Sequence, residues 1–341
     1  MTRYPDSILQ IRSLLVRQDG PPVHLHETSK SWLFLGVDHV YKIKKPVCDD
    51  LQDLTSLRAR FDNCMTEIDL NRRLASDTYL GVVRVVRHAD GQLGLGTTSD
   101  TVDWMIRMRR LPADLMLDVV ATQRTHDDAE LRSSIAGIAD RLGAFYAAAP
   151  TTNLTAAELA TIMLDQQERN HATLRHQMFK DHHPRFEVVY HAFQTAFFRH
   201  FDLIEARKTA GWIRECHGDL RPEHICLTDP PVIFDCLEFN RNLRLVDPFS
   251  EAVFLAIEAE MLGAGWIKSV LVDGLASHLS DRPDPKLLRL YEAMHAILRI
   301  RICLAHLLVP KPRTPEKWLP LGLQYLEMAE HRLCGPKGLG H

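Results

Sequence analysis

The hydrophobic positions of the chain change period near Pro112. Before it, apolar residues mostly alternate in short runs; after it, they recur at three- and four-residue steps, the signature of helices. Ile8, Leu9, Ile11, Leu14 and Leu15 give residues 6–18 one apolar helical face, ended by Gly20-Pro21-Pro22. Val23 to Glu27, Trp32 to Leu35 and Val40 to Lys44 are short, β-branched, aromatic or alternating, and predict three antiparallel strands closed by Pro46. Leu57, Phe61, Cys64, Met65, Ile68 and Leu74 predict a helix over 57–75, with Asp69, Arg72 and Arg73 exposed. Val82 to Val86 and Thr101 to Met108 predict strands, and Ala89-Asp90-Gly91 is a hairpin turn signal. Strand character stops at Arg109-Arg110-Leu111-Pro112.

The second regime predicts helices over 128–147, 155–173, 184–206, 249–262, 265–279, 285–308 and 315–333. One stretch interrupts it. Ile225-Cys226-Leu227 and Val232-Ile233-Phe234 flank Thr228-Asp229-Pro230-Pro231, a hairpin pattern. His217-Gly218-Asp219 sets one carboxylate in a tight turn before it, and Asp235 ends its second strand. Phosphoryl transfer uses such a pair, one acid to take the proton of an attacking hydroxyl and one to hold the metal that bridges the phosphates. An ordinary surface hairpin with turn aspartates is the competing reading.

The stretch resembles the catalytic centre of the aminoglycoside phosphotransferase and choline kinase group, relatives of the protein kinases. That pattern is H-G-D-x-x-x-x-N, a hairpin, then an apolar run ending in Asp. His217, Gly218, Asp219 and Asp235 match, and His224 stands where the pattern has Asn. The whole chain resembles an uncharacterised bacterial branch of the group. Some members of that branch carry a nucleotide-kinase domain after this one. With no G-x-x-x-x-G-K-[ST] before His341, no such domain is expected here.

The resemblance implies roles for further residues. Lys42 contacts nucleotide phosphates and pairs with Glu67 on the following helix. Alternation puts Lys42 and Lys44 on one face, so either residue suits, and the resemblance selects Lys42. The bland reading makes the lysines the solvent face of an edge strand and Glu67 a solvated helix residue. Met108 and Arg110 fall at the expected hinge, whose backbone holds adenine. No G-x-G-x-x-G precedes the lysine strand; Ser29 and Ser31 stand in the corresponding turn, as phosphate donors or as plain turn residues. Asp219 is the catalytic acid-base, and His217 shapes its turn. Asp235 and His224 are the metal positions, for Mg²⁺ or, with an imidazole present, Mn²⁺. Arg221 faces a phosphate or an anionic substrate group, or else solvent. Glu238 contacts metal or substrate, or caps its loop. Asp247 caps the helix that follows and, by resemblance, also accepts backbone hydrogen bonds from the catalytic loop.

Composition narrows the class. The chain has 341 residues, 45% hydrophobic and 25% charged, within the globular range. A formal net charge of −3 argues against an obligate nucleic-acid binder. The seven cysteines form no C-x-x-C pair and read as reduced, mostly buried thiols of a cytosolic protein; the alternative, zinc at Cys216, Cys226 and Cys236 with His217 or His224, matches no standard spacing. No signal core or membrane-length apolar run is present. His171, His176, His182 and His183 read as a solvated loop, and Asp165, Glu168, Glu258 and Glu260 as ordinary helix surface. The end, Gly335 to His341, is expected to fray.

The expectation is therefore an α+β, protein-kinase-like two-lobe fold. A small antiparallel-sheet N-lobe with one main helix covers 1–110, and a larger helical C-lobe covers 111–341 with the catalytic hairpin at 217–235. The expected function is transfer of the γ-phosphoryl group of ATP to a hydroxyl of a small molecule. The alternative is a catalytically silent kinase-like module that binds nucleotide or a partner protein. Action on proteins is disfavoured by the missing glycine loop and the missing Ala-Pro-Glu segment. No nucleic-acid or membrane partner is expected, the location is cytoplasmic, and the acceptor and oligomeric state stay open.

Overall fold

The computed structural model describes residues 4–97 and 100–335. The fraying expected beyond Gly335 lies outside the described residues. In chain order the first elements are α1 (Asp6–Asp19), β1 (His24–Glu27), β2 (Ser31–Leu35), β3 (His39–Lys44) and the small hairpin β4 (Cys48–Asp49) and β5 (Gln52–Asp53). Next come α2 (Leu57–Ala75), β6 (Tyr79–Arg87), β7 (Leu93–Leu95), β8 (Asp100–Arg109), α3 (Leu117–Gln123), α4 (Ala129–Ala148) and α5 (Ala156–Leu174). The chain continues through α6 (His183–Arg199), α7 (Phe201–Thr209), β9 (Arg214–Glu215), β10 (Ile225–Cys226), β11 (Val232–Ile233) and β12 (Leu245–Val246). It finishes with α8 (Pro248–Met261), α9 (Ile267–Leu279), α10 (Pro285–Ala305) and α11 (Pro315–Cys334).

The chain divides into two compact units, residues 1–120 with 223–243, and residues 121–222 with 244–341. The first holds a six-stranded antiparallel sheet in the order β1-β2-β3-β8-β6-β7. β3 is central, with Lys42 opposite Leu33 on one side and Ile106 on the other. One apolar cluster joins Ile8, Ile11 and Leu15 of α1 to Phe34, Tyr41, Ile43 and Met105 of the sheet. A second joins Cys64 and Ile68 of α2 to Tyr79, Ile106 and Met108, with Val232 and Phe234 packed against it. Through those two contacts the hairpin β10–β11 is anchored to the sheet and α2. Ser56 starts α2 by accepting a hydrogen bond from the Ala59 amide, which satisfies one free donor of the first turn.

The second unit is helical. α10 packs on α11, α8 and α5, and α4 packs on α9. The α4–α9 contact is close because Gly143 lacks a side chain; a Cβ there would come 2.5 Å from His278 Cγ. α8 is buried along nearly its whole length, Ser250, Glu251 and Glu258 included.

Several boundaries depart from expectation. The helix expected over 184–206 is two helices, α6 and α7, because the chain turns at His200, whose φ of −117° and ψ of 20° are not helical. Leu57 and Met65, assigned to the apolar face of α2, are 38% exposed. Arg73, expected to be exposed, is half-buried and donates to Cys236 Sγ at 3.2 Å. β7 was not foreseen; it pairs with β6 after the Ala89-Asp90-Gly91 turn. Five of the cysteines are buried, while Cys48 and Cys334 are exposed, and all seven are free thiols. His171 is buried, stacked on Tyr190 with centroids 3.7 Å apart and 3.1 Å from Glu187, rather than part of a solvated loop. No helix among the described residues is long and apolar enough to cross a membrane.

Candidate active site

In the sheet-bearing unit the charged residues singled out from sequence come together. Alternation along β3 turns Lys42 and Lys44 to one face, toward α2. Lys42 Nζ lies 2.8 Å from Glu67 Oε1 and 2.9 Å from Asp235 Oδ1. Lys44 pairs with the other oxygen of Glu67 and with Glu238. Glu67 is fully buried, whereas the Asp235 side chain is 39% exposed. His224 Nε2 stands 3.5 Å from Asp235 Oδ2. Two lysines therefore share one buried glutamate, and each also reaches an acid on the segment 235–238.

The electrostatics follow from this arrangement. Burial alone would lower the Lys42 pKa, but the Asp235, Glu67 and Glu238 carboxylates outweigh it and hold the ammonium well above its usual range. Lys44 is raised in the same way, against burial, by Glu238 and Glu67. Desolvation would raise the Asp235 pKa. Lys42 and then His224 outweigh it, and the carboxyl is held well below the ordinary carboxylate range.

Asp235 has φ of 59°, a left-handed conformation that a non-glycine residue adopts at some cost. Its surroundings fix it there. The Asp235 amide donates to Tyr79 Oη at 3.3 Å, and the Cys236 amide donates to Asn71 Oδ1 at 2.9 Å. Asn71 in turn donates to the Glu67 carbonyl at 2.8 Å. Sequence reasoning missed Asn71 and Tyr79. The only signal was Asn71 at the i+4 position from Glu67.

The turn near Thr28 is built without phosphate donors at both serines. Thr28 Oγ1 accepts from the Lys30 and Ser31 amides, and Ser31 is 2% exposed in β2, so of the two only Ser29 is exposed. At the end of β8, Met108 is inside the sheet, opposite Val40 and Tyr79, with its side chain in the core. The Arg110 amide already donates to the Asp38 carbonyl at 2.8 Å, and its guanidinium to the Gly36 carbonyl at 2.8 Å. That amide is committed within the protein, which removes it as a donor to a base.

In the helical unit, His217-Gly218-Asp219 is held by a residue that sequence reasoning did not name. Glu251 accepts from the His217 amide at 3.0 Å and from the Gly218 amide, and the Tyr146 hydroxyl donates to it at 2.8 Å. Gly218, at φ of 88°, supplies the left-handed position the turn needs. The Asp219 amide donates to His217 Nδ1 at 3.3 Å within the turn. Asp247 caps α8 by accepting from the Phe249 amide at 2.9 Å, and it binds Arg207, Nε to Oδ2 at 2.6 Å. The signal available for Glu251 was a carboxylate inside an otherwise apolar helix, which must find donors to be buried. The Arg221 side chain, 19% exposed, sits 3.3 Å from Glu258. Glu258 is buried at 5% exposure and is not helix surface.

Among the described residues, no group of three or more His, Cys, Asp or Glu side chains converges as a metal-ligand set. A single carboxylate such as Asp235, its side chain 39% exposed, is a donor of the kind a hard divalent cation takes.

No family model matches the chain. It is 28% identical over 326 residues to an uncharacterized protein of Mycobacterium bovis and equally to one of Mycobacterium tuberculosis. The match covers 93% of this chain, and the chain spans 62% of the length of those relatives. Among solved structures, choline kinase LicA from Streptococcus pneumoniae superposes with a TM-score of 0.56 at 13% identity, covering 97% of this chain and 99% of that one. A choline/ethanolamine kinase family protein from Mesorhizobium loti gives 0.55 at 12% identity, with 98% of each chain covered. An aminoglycoside phosphotransferase in ternary complex with AMP-PNP and hygromycin B gives 0.52 at 11% identity, over 96% and 99%. The chain thus has the α+β, protein-kinase-like fold of these proteins, with a small antiparallel sheet in its N-terminal part.

Proposed function

We propose that the chain transfers the γ-phosphoryl group of ATP to a hydroxyl of a small molecule, as a cytosolic enzyme. The observation that carries the reading is the triplet in which Lys42 bridges Glu67 and Asp235. A lysine held between a buried glutamate and a half-exposed aspartate is an arrangement that kinases use for phosphate and metal. The fold shared with small-molecule kinases, one of them holding a nucleotide analogue and an antibiotic, supports it.

In this reading Asp219 orients the acceptor hydroxyl and takes its proton. The acceptor oxygen forms a bond to the γ-phosphorus, the bond to the β,γ-bridging oxygen breaks, and ADP leaves with those electrons. Glu251 holds the loop that carries Asp219. Lys42 neutralises phosphate charge, Glu67 and Asn71 position Lys42 and the Asp235 segment, and Lys44 with Glu238 completes the charge network. Met108 and Arg110 are assigned to the nucleotide base, with the Arg110 amide already bonded to the Asp38 carbonyl. Asp235 would hold Mg²⁺, or Mn²⁺ with the neighbouring His224, and the ion would supply charge neutralisation.

A second reading, a module that binds nucleotide without transferring phosphate, is favoured by one observation. His224 offers an imidazole, not an amide oxygen, beside Asp235. Incubation with γ-labelled ATP, Mg²⁺ or Mn²⁺ and a pool of cellular small molecules separates the two. Label moving to a small molecule with wild type and not with Asp219→Asn supports transfer. Nucleotide binding with no such label under either metal supports the silent module.

A further inference from the structure

Three lysines of the sheet-bearing unit meet the segment 235–239. Lys42 reaches Asp235, Lys44 reaches Glu238, and Lys30 Nζ lies 5.7 Å from the Phe239 ring centre. They are held unequally. Lys44 is 3% exposed and lies between Glu67 and Glu238, and Lys42 is 13% exposed between Glu67 and Asp235. Lys30 is 38% exposed and pairs with Asp49 of the β4–β5 hairpin, itself 39% exposed. Exposed ion pairs contribute little, whereas breaking a buried one is costly. Of the three ammoniums, Lys30 therefore changes partner most readily.

The turn that carries Lys30 joins β1 to β2, where protein kinases have their glycine-rich loop. Its backbone is committed. The Thr28 amide donates to the Ser31 carbonyl at 2.9 Å, and the Lys30 and Ser31 amides donate to Thr28 Oγ1 at 3.3 and 2.9 Å. Lys45, just after β3, ties the turn down: its amide donates to the Lys30 carbonyl at 2.8 Å and its Nζ to the Thr28 carbonyl at 2.7 Å. Three amides of the turn are thus occupied, and the exposed cation it offers to an anion is the Lys30 side chain. Asp49 divides its two oxygens. Oδ1 accepts from the Leu51 and Gln52 amides at 3.0 and 3.2 Å and shapes the hairpin turn, while Oδ2 receives Lys30.

We propose that Lys30 is a further phosphate-binding residue of the candidate site and that Asp49 is its latch. Without nucleotide the ammonium rests on Asp49, over the Phe239 ring. A nucleoside triphosphate, with several negative charges close together, draws it off Asp49, so that a side chain does here what glycine amides do in protein kinases. Binding works against the Asp49–Lys30 pair, and the pair sets the affinity for nucleotide. The assignment rests on the nucleotide-binding reading above.

Calorimetric titration of the full chain with ATP and Mg²⁺ tests it, across wild type, Lys30→Met, Asp49→Asn and the double variant. Both positions are exposed, so the core is spared. Asp49→Asn keeps an oxygen for the Leu51 and Gln52 amides and removes the charge that holds Lys30. It should tighten ATP binding by up to about fivefold, the strength of an exposed pair. Lys30→Met should weaken binding about tenfold, the strength of one hydrogen bond to a charged group. In the Lys30→Met background, Asp49→Asn should change nothing, a result that mere loosening of the turn does not produce. Unchanged binding in either single variant overturns the proposal. So does an equal effect of Asp49→Asn in both backgrounds, which would mean that Asp49 acts on the nucleotide directly. In those cases ATP still binds to wild type, and the phosphotransferase reading stands without the latch. No ATP binding by wild type removes that reading and the latch with it.

Discussion

Lys42 Nζ lies 2.8 Å from Glu67 Oε1, and Lys44 occupies the other oxygen of the same fully buried carboxylate. Glu67 is thus the counter-ion of two lysines. Removing one member of a buried ion pair typically costs about 3–5 kcal/mol, because the partner stays buried and unpaired. Glu67→Ala is expected to destabilise the chain by that order, read from urea unfolding, and to abolish nucleotide binding. Lys44→Met should cost less, since Glu67 keeps Lys42. Equal losses for the two variants would contradict the shared role.

Glu251 holds the turn around Gly218. Glu251→Ala strands the His217 and Gly218 amides, each stranded group costing about 1–3 kcal/mol. It also loosens the loop that carries Asp219, and a displacement near 1 Å can cost about a hundredfold in rate. The expected result is a fall in phosphate transfer larger than the loss of stability explains. Asp247→Asn weakens the bond to Arg207 and should lower stability with little effect on transfer measured well below the melting point.

How much of this was legible in the sequence differs by residue. Alternation on β3 placed Lys42 and Lys44 on one face, and periodicity gave α2 its bounds, because both signals are local. The H-G-D turn and Asp235 were legible as a motif. Glu251 and Glu258 were not, because a carboxylate's fate depends on which distant donors meet it: the loop amides in one case, Arg221 and Arg299 in the other. The break at His200 was hidden for a related reason. The apolar pattern runs on through Phe197 and Phe201, and nothing in it marks a turn.

His295 links stability to pH. Burial lowers its pKa from 6.5 to about 4, while Ser250 Oγ lies 2.9 Å from Nε2 and Phe254 stacks on the ring. The unfolded chain binds the proton more readily than the folded one. This contribution is complete above about pH 6.5 and is lost as pH falls toward 4, on the order of 3 kcal/mol in all. The difference in melting temperature between wild type and His295→Phe should therefore change across that window. A constant difference would contradict it.

Gly143 and Gly137 form a matched pair on α4. A Cβ at Gly143 meets His278, while one at Gly137 has nothing within 4 Å. Gly143→Ala should lower stability by about 1–3 kcal/mol through overpacking. Gly137→Ala should raise it by roughly 0.5–1 kcal/mol through helix propensity. Chemical denaturation reads both.

The central claim, that Lys42, Glu67 and Asp235 form a nucleotide and metal site, is tested most directly by thermal unfolding with ATP and Mg²⁺ or Mn²⁺, for wild type and Asp235→Ala. A ligand that binds only the folded state adds about 2.7 kcal/mol at a hundredfold excess over its dissociation constant. The account predicts a metal-dependent rise in wild type that is absent in Asp235→Ala, with the preferred ion revealing the part played by His224. No rise with either metal, or the same rise in the variant, would contradict it.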